Sequence, residues 1–377
     1  MEILHQGFDG FDISFKTQIR PHFAAILEEA RDKAIATRTE QLVTLNNISM
    51  HVSESGAKGG YRYACNTGPL GSNWFFKKPT PRDDWGIRAS VRSLPLALSG
   101  VYSAYEDLLK VVGALAGELE ADCVSIGRVD YAIDYLLDDF HLSPDQFVMH
   151  SRLTRTVDRT FSEVGRSGRV HSIRIGKMPG QQVALYDKRA DVFAKSKHVW
   201  WEIWNGNLAA RGLPPISRNH TRNRIWRVEI RAGKEFLKER KGIRNWSDFK
   251  THCGTALADI ADAIRYVTPT EDTNRARWPT HPLWLDVQER IRKDLTEMTS
   301  PDRIDYVREF LREERIATLD QQMVGYAAHQ LVALGVEDTD LTDQSRLIAE
   351  RLAKQIEARP DKFHDKLIKA SDRCRFL

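Results

Sequence analysis

The stretch "GRVDYAIDYLLDDF", Gly127 to Phe140, constrains the fold more than any other part of the chain. Val129, Tyr131, Ile133 and Tyr135 alternate with Arg128, Asp130, Ala132 and Asp134. Successive strand side chains point to opposite faces, so the segment reads as a strand with one apolar face and one carrying an arginine and two acids. Asp130 and Asp134 are then roughly 13 Å apart, at about 3.3 Å per residue, too far to share one ion unaided. Three more segments have the same parity. "GFDISF" sets Phe11, Ile13 and Phe15 against Asp12; "VALYDK" sets Val183 and Leu185 against Ala184, Tyr186 and Lys188; "IWRVEIR" sets Trp226, Val228 and Ile230 against Arg227, Glu229 and Arg231. In one shared sheet with helices on its apolar side, Asp12, Asp130, Asp134, Tyr186, Lys188, Glu229 and the flanking arginines would all lie on the open face.

The rest of the chain supports such a sheet. "RPHFAAILEEARDKAIA" has helical spacing, and residues 42–93 hold short aromatic and β-branched runs broken by Gly, Asn and Pro, the pattern of an antiparallel meander. "GVYSAYEDLLKVVGALAGELE" is helical, and "SPDQFVMHSRLTRTV" reads as a helix with Ser143 as N-cap and Pro144 at its first position. "HSIRIGK", "MPGQQ" and "VALYDK" form a hairpin pattern, followed by a Trp-rich helix over 190–204 and the loop "RGLPPISRNHTRNR". Beyond about residue 250 the spacing is helical. The expected fold is α+β, an antiparallel-rich sheet with helices on one face, and a C-terminal α-helical region. Length favours a large domain and a smaller one, divided at the Thr/Pro/Asn-rich cut into 1–268 and 269–377. The helical tail is open to three readings: a dimerisation bundle giving a homodimer, a DNA contact, or a stabilising extension.

Net charge is +4, yet residues 151–250 hold 23 Lys+Arg against 9 Asp+Glu, while the remainder holds 33 against 43. A basic centre in an otherwise acidic chain is the footprint of a polyanion-binding surface; scattered solubilising charge is the plainer alternative. The four cysteines are far apart and form no CxxC pair, so neither a zinc site nor a disulfide framework is indicated. There is no apolar run long enough to cross a bilayer and no secretion signal at the start. A reducing cytoplasm, with no membrane association, fits this composition.

Carboxylates on neighbouring strands, about 4.8 Å apart, can hold a hard divalent cation such as Mg²⁺ or Mn²⁺. The ion and a nearby Lys or Arg can offset the charge that develops on an attacked phosphate. A tyrosine there could form a covalent phosphotyrosine, provided that cationic neighbours stabilise its phenolate. Taken singly, a Tyr–Asp–Lys at a strand end can be a solvated edge, and a Glu between two Arg an ion pair.

Three stretches in this order resemble the replication initiation factor family, the rolling-circle initiators of plasmids and filamentous phages. "GRVDYAIDY" resembles its R-[ILV]-D-x-A-x-D strand, "SIRIGKMPGQQVALYDK" its glycine-turn hairpin ending in Y-D-K, and "IWRVEIR" its [WL]-x-R-x-E strand. They span residues 126–231. Two positions depart from the pattern: Tyr135 stands where a second acid is usual, and Lys177 where the hairpin usually has Ser. The resemblance implies metal-dependent nicking and strand transfer at an origin with an inverted repeat, single-stranded or extruded. Tyr186 would be the nucleophile, assisted by Lys188. Asp130, Glu229, Asp134 and Asp12 would be the metal ligands. Arg128, Arg174, Lys177, Arg218, Arg222, Arg224, Arg227 and Arg231 would contact DNA. A host helicase and polymerase would be further partners. No ATP is needed, and no Walker A motif occurs in the chain. A histidine-dependent relaxase would need a His-x-His pair, which is absent. A tyrosine recombinase would have no call for carboxylate strands. The stronger rival is a catalytically inactive DNA-binding replication or copy-control protein.

Overall fold

The computed structural model describes residues 1–120, 123–149, 170–219, 223–293, 295–336 and 340–377. Period-2 patterning is realised in a ten-stranded sheet among the described residues. Its strands are β1 (Glu2–Phe15), β2 (Gln41–Leu45), β3 (Ile48–Val52), β4 (Tyr63–Asn66), β5 (Ser72–Phe76), β6 (Ile87–Val91) and β7 (Val124–Leu136), with β9 (Ser172–Gly176), β10 (Gln181–Asp187) and β11 (Ile225–Gly233). The order is β2-β3-β4-β5-β6-β1-β7-β11-β10-β9, with antiparallel neighbours throughout. The four segments of shared parity occupy the adjacent positions β1-β7-β11-β10. The mixed α+β class and the antiparallel sheet match the sequence reading.

The apolar face is the core. Val129, Tyr131, Ile133 and Tyr135 of β7 are buried with Val228 and Ile230 of β11 and Phe11 and Ile13 of β1. Helices α1 (Pro21–Thr37) and α2 (Ser93–Ala116) pack on this face at the β1–β6 side. Helix α5 (Trp246–Ala263) packs under β7, β11 and β10. It begins at a capping box between Asn245 and Asp248 and presents Phe249, Cys253, Leu257 and Ile260 to the core at helical spacing.

Three expectations change. Helices are not confined to one face, because α3 (Lys188–Ala194) and α4 (Val199–Ala209) lie at the polar face of the sheet. The segment from Ser143 is not a capped helix. Ser143 makes no side-chain cap, a single 3₁₀ turn (Pro144–Gln146) follows, and β8 (Phe147–Met149) then pairs with β12 (Ile264–Tyr266). The alternating apolar residues Phe147 and Met149 satisfy a strand as well as a helix; residues 150–157 of that segment lie outside the described residues. Finally, the compact unit runs to Arg303, not 268. Helix α6 (Pro282–Lys293) buries Leu283 and Trp284, whose indole donates to the Ala261 carbonyl at 2.9 Å. The chain then returns to β1, where the Met298 amide donates to the Gln6 carbonyl at 2.8 Å.

The second unit, Ile304–Leu377, consists of α7 (Ile304–Ala333), α8 (Leu341–Ala358) and α9 (Pro360–Arg373). It is helical, as its sequence predicts, and leaves Tyr326, Val332 and Leu341 largely exposed. No helix among the described residues is long and apolar enough to cross a membrane.

Candidate functional site on the polar face

The register brings the expected residues together. Arg227 lies opposite Asp134 and Tyr186, Glu229 opposite Ala132 and Ala184, and Arg231 opposite Asp130 and Gln182. Asp12 lies opposite Arg128, so residues from four strands share one face. That face has two ends of different character.

One end is closed. Helix α4 lays Trp200 and Trp204 over it, and both are buried. Arg227 is 0% exposed: its Nε and Nη2 donate to Asp134 Oδ1 and Oδ2 at 2.6 and 2.7 Å. The Trp204 indole donates to Asp134 Oδ2 at 2.8 Å. Arg227 Nη1 donates to Asp9 at 2.6 Å, and its guanidinium lies 4.3 Å from the Trp200 ring centre. Burial pushes the Asp134 carboxyl up, but Arg227 outweighs it and holds the group below the usual range. Asp134, expected as a metal ligand, is 0% exposed with both oxygens engaged by Arg227 and Trp204. Arg227, expected on DNA, is a buried counter-ion.

Lys188 is also buried at 4% exposure. It starts α3, which is capped by Asp187 accepting from the Ala190 amide at 2.8 Å. Its ammonium sits 4.8 Å over Trp200, 3.4 Å from Asp191 and 5.8 Å from the Tyr186 ring centre. Burial and Arg227 pull its pKa down. It borders Tyr186 but is not presented on an open surface.

The other end is open only at its arginines, with Asp130 and Glu229 buried beneath them at 3% and 2% exposure. The Tyr186 hydroxyl donates to Glu229 Oε1 at 2.6 Å, and Arg231 Nε donates to Glu229 Oε2 at 2.7 Å. Arg128 grips Asp130 with Nε to Oδ1 at 2.9 Å and Nη2 to Oδ2 at 2.5 Å. Gly10 makes this possible, since a Cβ there would lie 2.9 Å from Asp130 Oδ2. Burial pushes Asp130 up to about 7 against the pull of Arg128. Burial and Glu229 push the Tyr186 phenol well above its ordinary value. Tyr186 is therefore a neutral hydroxyl beside a base, not a phenolate held by cations. Arg128 and Arg231 remain partly exposed at 38% and 19% of their side chains.

Among the described residues, no group of three or more His, Cys, Asp and Glu side chains is arranged to hold a metal. Asp130, Asp134 and Glu229 each already have an arginine partner. The arginines on Asp130 and Glu229 are partly exposed, whereas the one on Asp134 is 0% exposed.

Of the other basic residues, Arg174 lies opposite Ala184 on the same face, and Lys177 is exposed at the hairpin turn. Arg218 is exposed and Arg224 half-buried beside Trp226 and Phe140, at the end of the sheet remote from Asp130. Arg222 lies outside the described residues. The sequence reading missed Asp9, His5 and the tryptophans. Asp9 has the wrong parity for the polar face, but a bulge between Phe8 and Gly10 inserts it there. The glycines at 7 and 10 flanking it are the signal that could have shown this.

In structure the chain is similar to a rolling circle replication initiator protein from Geobacillus stearothermophilus, with a TM-score of 0.40 and 15% identity, covering 78% of this chain and 98% of that one. No family model and no curated protein matches.

Proposed function

We propose that the chain is a rolling-circle replication initiator that nicks and rejoins DNA through Tyr186. The observation that carries this is the 2.6 Å hydrogen bond from the Tyr186 hydroxyl to Glu229 Oε1, on a face lined with arginines. A phenol becomes a nucleophile when an adjacent base takes its proton. Tyr186 Oη attacks the phosphorus, its proton passing to Glu229. The phosphorus–O3′ bond breaks as the phosphorus–Oη bond forms. The 5′ phosphate stays on Tyr186, and the 3′ oxygen leaves as a hydroxyl with a proton from solvent. Rejoining reverses these steps, so no nucleoside triphosphate is consumed. Arg128, Arg231 and Arg174 offer charge to the phosphate backbone. A divalent ion, Mg²⁺ or Mn²⁺, would be held by Asp130 and Glu229 Oε2 once Arg128 and Arg231 release them; its chemistry is to offset charge on the phosphate.

The test uses a supercoiled plasmid carrying the DNA that flanks this reading frame. Wild-type protein with Mn²⁺ should give the nicked circle and a covalent protein–DNA adduct. Tyr186→Phe should give neither, with DNA affinity retained. Glu229→Gln should slow adduct formation by about 10²–10⁴-fold, the usual range for removal of a proton acceptor. An adduct formed by Tyr186→Phe would sink the assignment. The second reading, an inactive DNA-binding protein, is favoured by one feature: Asp130, Asp134 and Glu229 are each already held by a guanidinium. Wild-type protein that binds this DNA but never nicks it would establish that reading.

A further inference from the structure

The polar face does not end at β7. Asp12 lies opposite Arg128 on one side and Ser90 on the other, and Ser90 lies opposite Asn73. One pair further along, Ser14 lies opposite Arg88, and Arg88 opposite Phe75. Directly opposed residues share a face, so Phe75 and Arg88 lie on the face that carries Tyr186. Five strand spacings separate β10 from β5, roughly 24 Å at about 4.8 Å each.

This region is built unlike the acid cluster. The Arg88 guanidinium lies 4.2 Å from the Phe75 ring centre and 4.9 Å from that of Tyr61. Its Nε is buried without a hydrogen-bond partner, and Arg88 has no ion pair among the described residues. Arg92, two residues beyond Ser90, donates to Asn73 Oδ1 at 2.7 Å and likewise has no carboxylate at ion-pair distance among the described residues. Phe75, Arg88, Asn73 and Arg92 are all half-buried, so each keeps part of its surface open. Here cations rest on rings and amides, whereas near Tyr186 they are consumed by acids.

We propose that the β5–β6 part of the face is a track for single-stranded DNA leading to Tyr186, with phosphates on Arg88 and Arg92 and bases stacked on Phe75. The strand identity rests on the nicking function proposed above. Charge complementarity favours a polyanion. The part of Phe75 that Arg88 and the Tyr61 ring, 6.1 Å away, leave open favours unpaired bases, because every base has a π-face but a duplex hides it.

The experiment measures binding of the full-length chain to fluorescein-labelled dT20, dT8 and a 20-base-pair duplex across a salt series. Arg88→Gln combined with Phe75→Leu should weaken dT20 about tenfold, consistent with one stacked base fewer. It should also flatten the slope of log K against log salt by about 0.7 for each phosphate that is no longer neutralised. Duplex binding and the thermal midpoint should hold, and Phe75→Tyr alone should bind like wild type. Unchanged dT20 affinity and slope would overturn the track, as would equal weakening on dT20 and duplex. Covalent adduct formation on a short oligonucleotide is followed in parallel. If wild type forms no adduct while the double variant still binds dT20 more weakly, the nicking reading fails and the track stands. If adduct forms and dT20 affinity is unchanged, the track alone fails.

Discussion

Arg227–Asp134 and Arg231–Glu229 are the same chemistry on the same strand face, four residues apart, yet they sit in different surroundings. Arg227 and Asp134 are sealed under Trp200 and Trp204, with both Asp134 oxygens and all three Arg227 nitrogens hydrogen-bonded. Arg231 keeps 19% of its side chain exposed, and Glu229, 2% exposed beneath it, keeps one oxygen on a tyrosine hydroxyl. The difference shows that a charged residue on a sheet face becomes a structural brace or a reactive group according to what lies over it.

The largest effect that would break this contrast is on stability. Arg227→Met leaves the Asp134 and Asp9 carboxylates without their shared cation and should cost about 3–5 kcal/mol in urea unfolding. Arg231→Met, at the open end, should cost about 1 kcal/mol and mainly lower nicking. Equal losses would mean that the two ends are one structural cluster.

Acid should find the closed end next. His5 is buried there against Trp200, and burial draws its pKa from 6.5 to about 4. Asp134 and Asp9 pull it the other way, and Arg227 and Lys188 add to the lowering. Between those values the unfolded chain binds a proton at His5 and the folded chain does not, so stability falls as pH drops. The loss across the window is roughly 3 kcal/mol. Asp130, pushed up to about 7, gains stability in acid and works the other way. The His5 contribution is therefore read as the unfolding free energy of wild type minus that of His5→Gln at pH 7, 5.5 and 4.5, which should decline with acid. A difference that stays constant over this range would place the acid sensitivity elsewhere.

The open end should answer to metal. Mn²⁺ at about a hundred times its dissociation constant should raise stability by about 2.7 kcal/mol, reversed by EDTA and absent in Asp130→Asn. A wild type indifferent to Mn²⁺ would mean that Asp130 and Glu229 are braces like Asp134.

Much of this was legible from parity. The alternation in 127–136, 183–188 and 225–231 predicted which side chains face the core, and β7, β10 and β11 obey it. Where the pattern was ambiguous it misled. "FVM" after Pro144 suits helix and strand alike, and the partner that decides for a strand, Ile264–Tyr266, is more than a hundred residues away. Asp9 was passed over because strict alternation assigns it to the core, and only the bulge reverses that.

The sequence by itself determined that Asp130 with Asp134, Arg227 with Glu229, and Tyr186 each lie opposite the apolar side chains of their own strand, because a strand's side-chain period is fixed by its backbone. The pairing of β7, β11 and β10 then gathered them on one face. Tertiary structure alone decided which of them stay within reach of a substrate. That depends on where the chain after β10 returns, and it returns as α4, seating Trp200 and Trp204 at the end that holds Asp134. Period-2 alternation carries no information about what packs above a face, since covering elements are chosen by contacts remote in sequence.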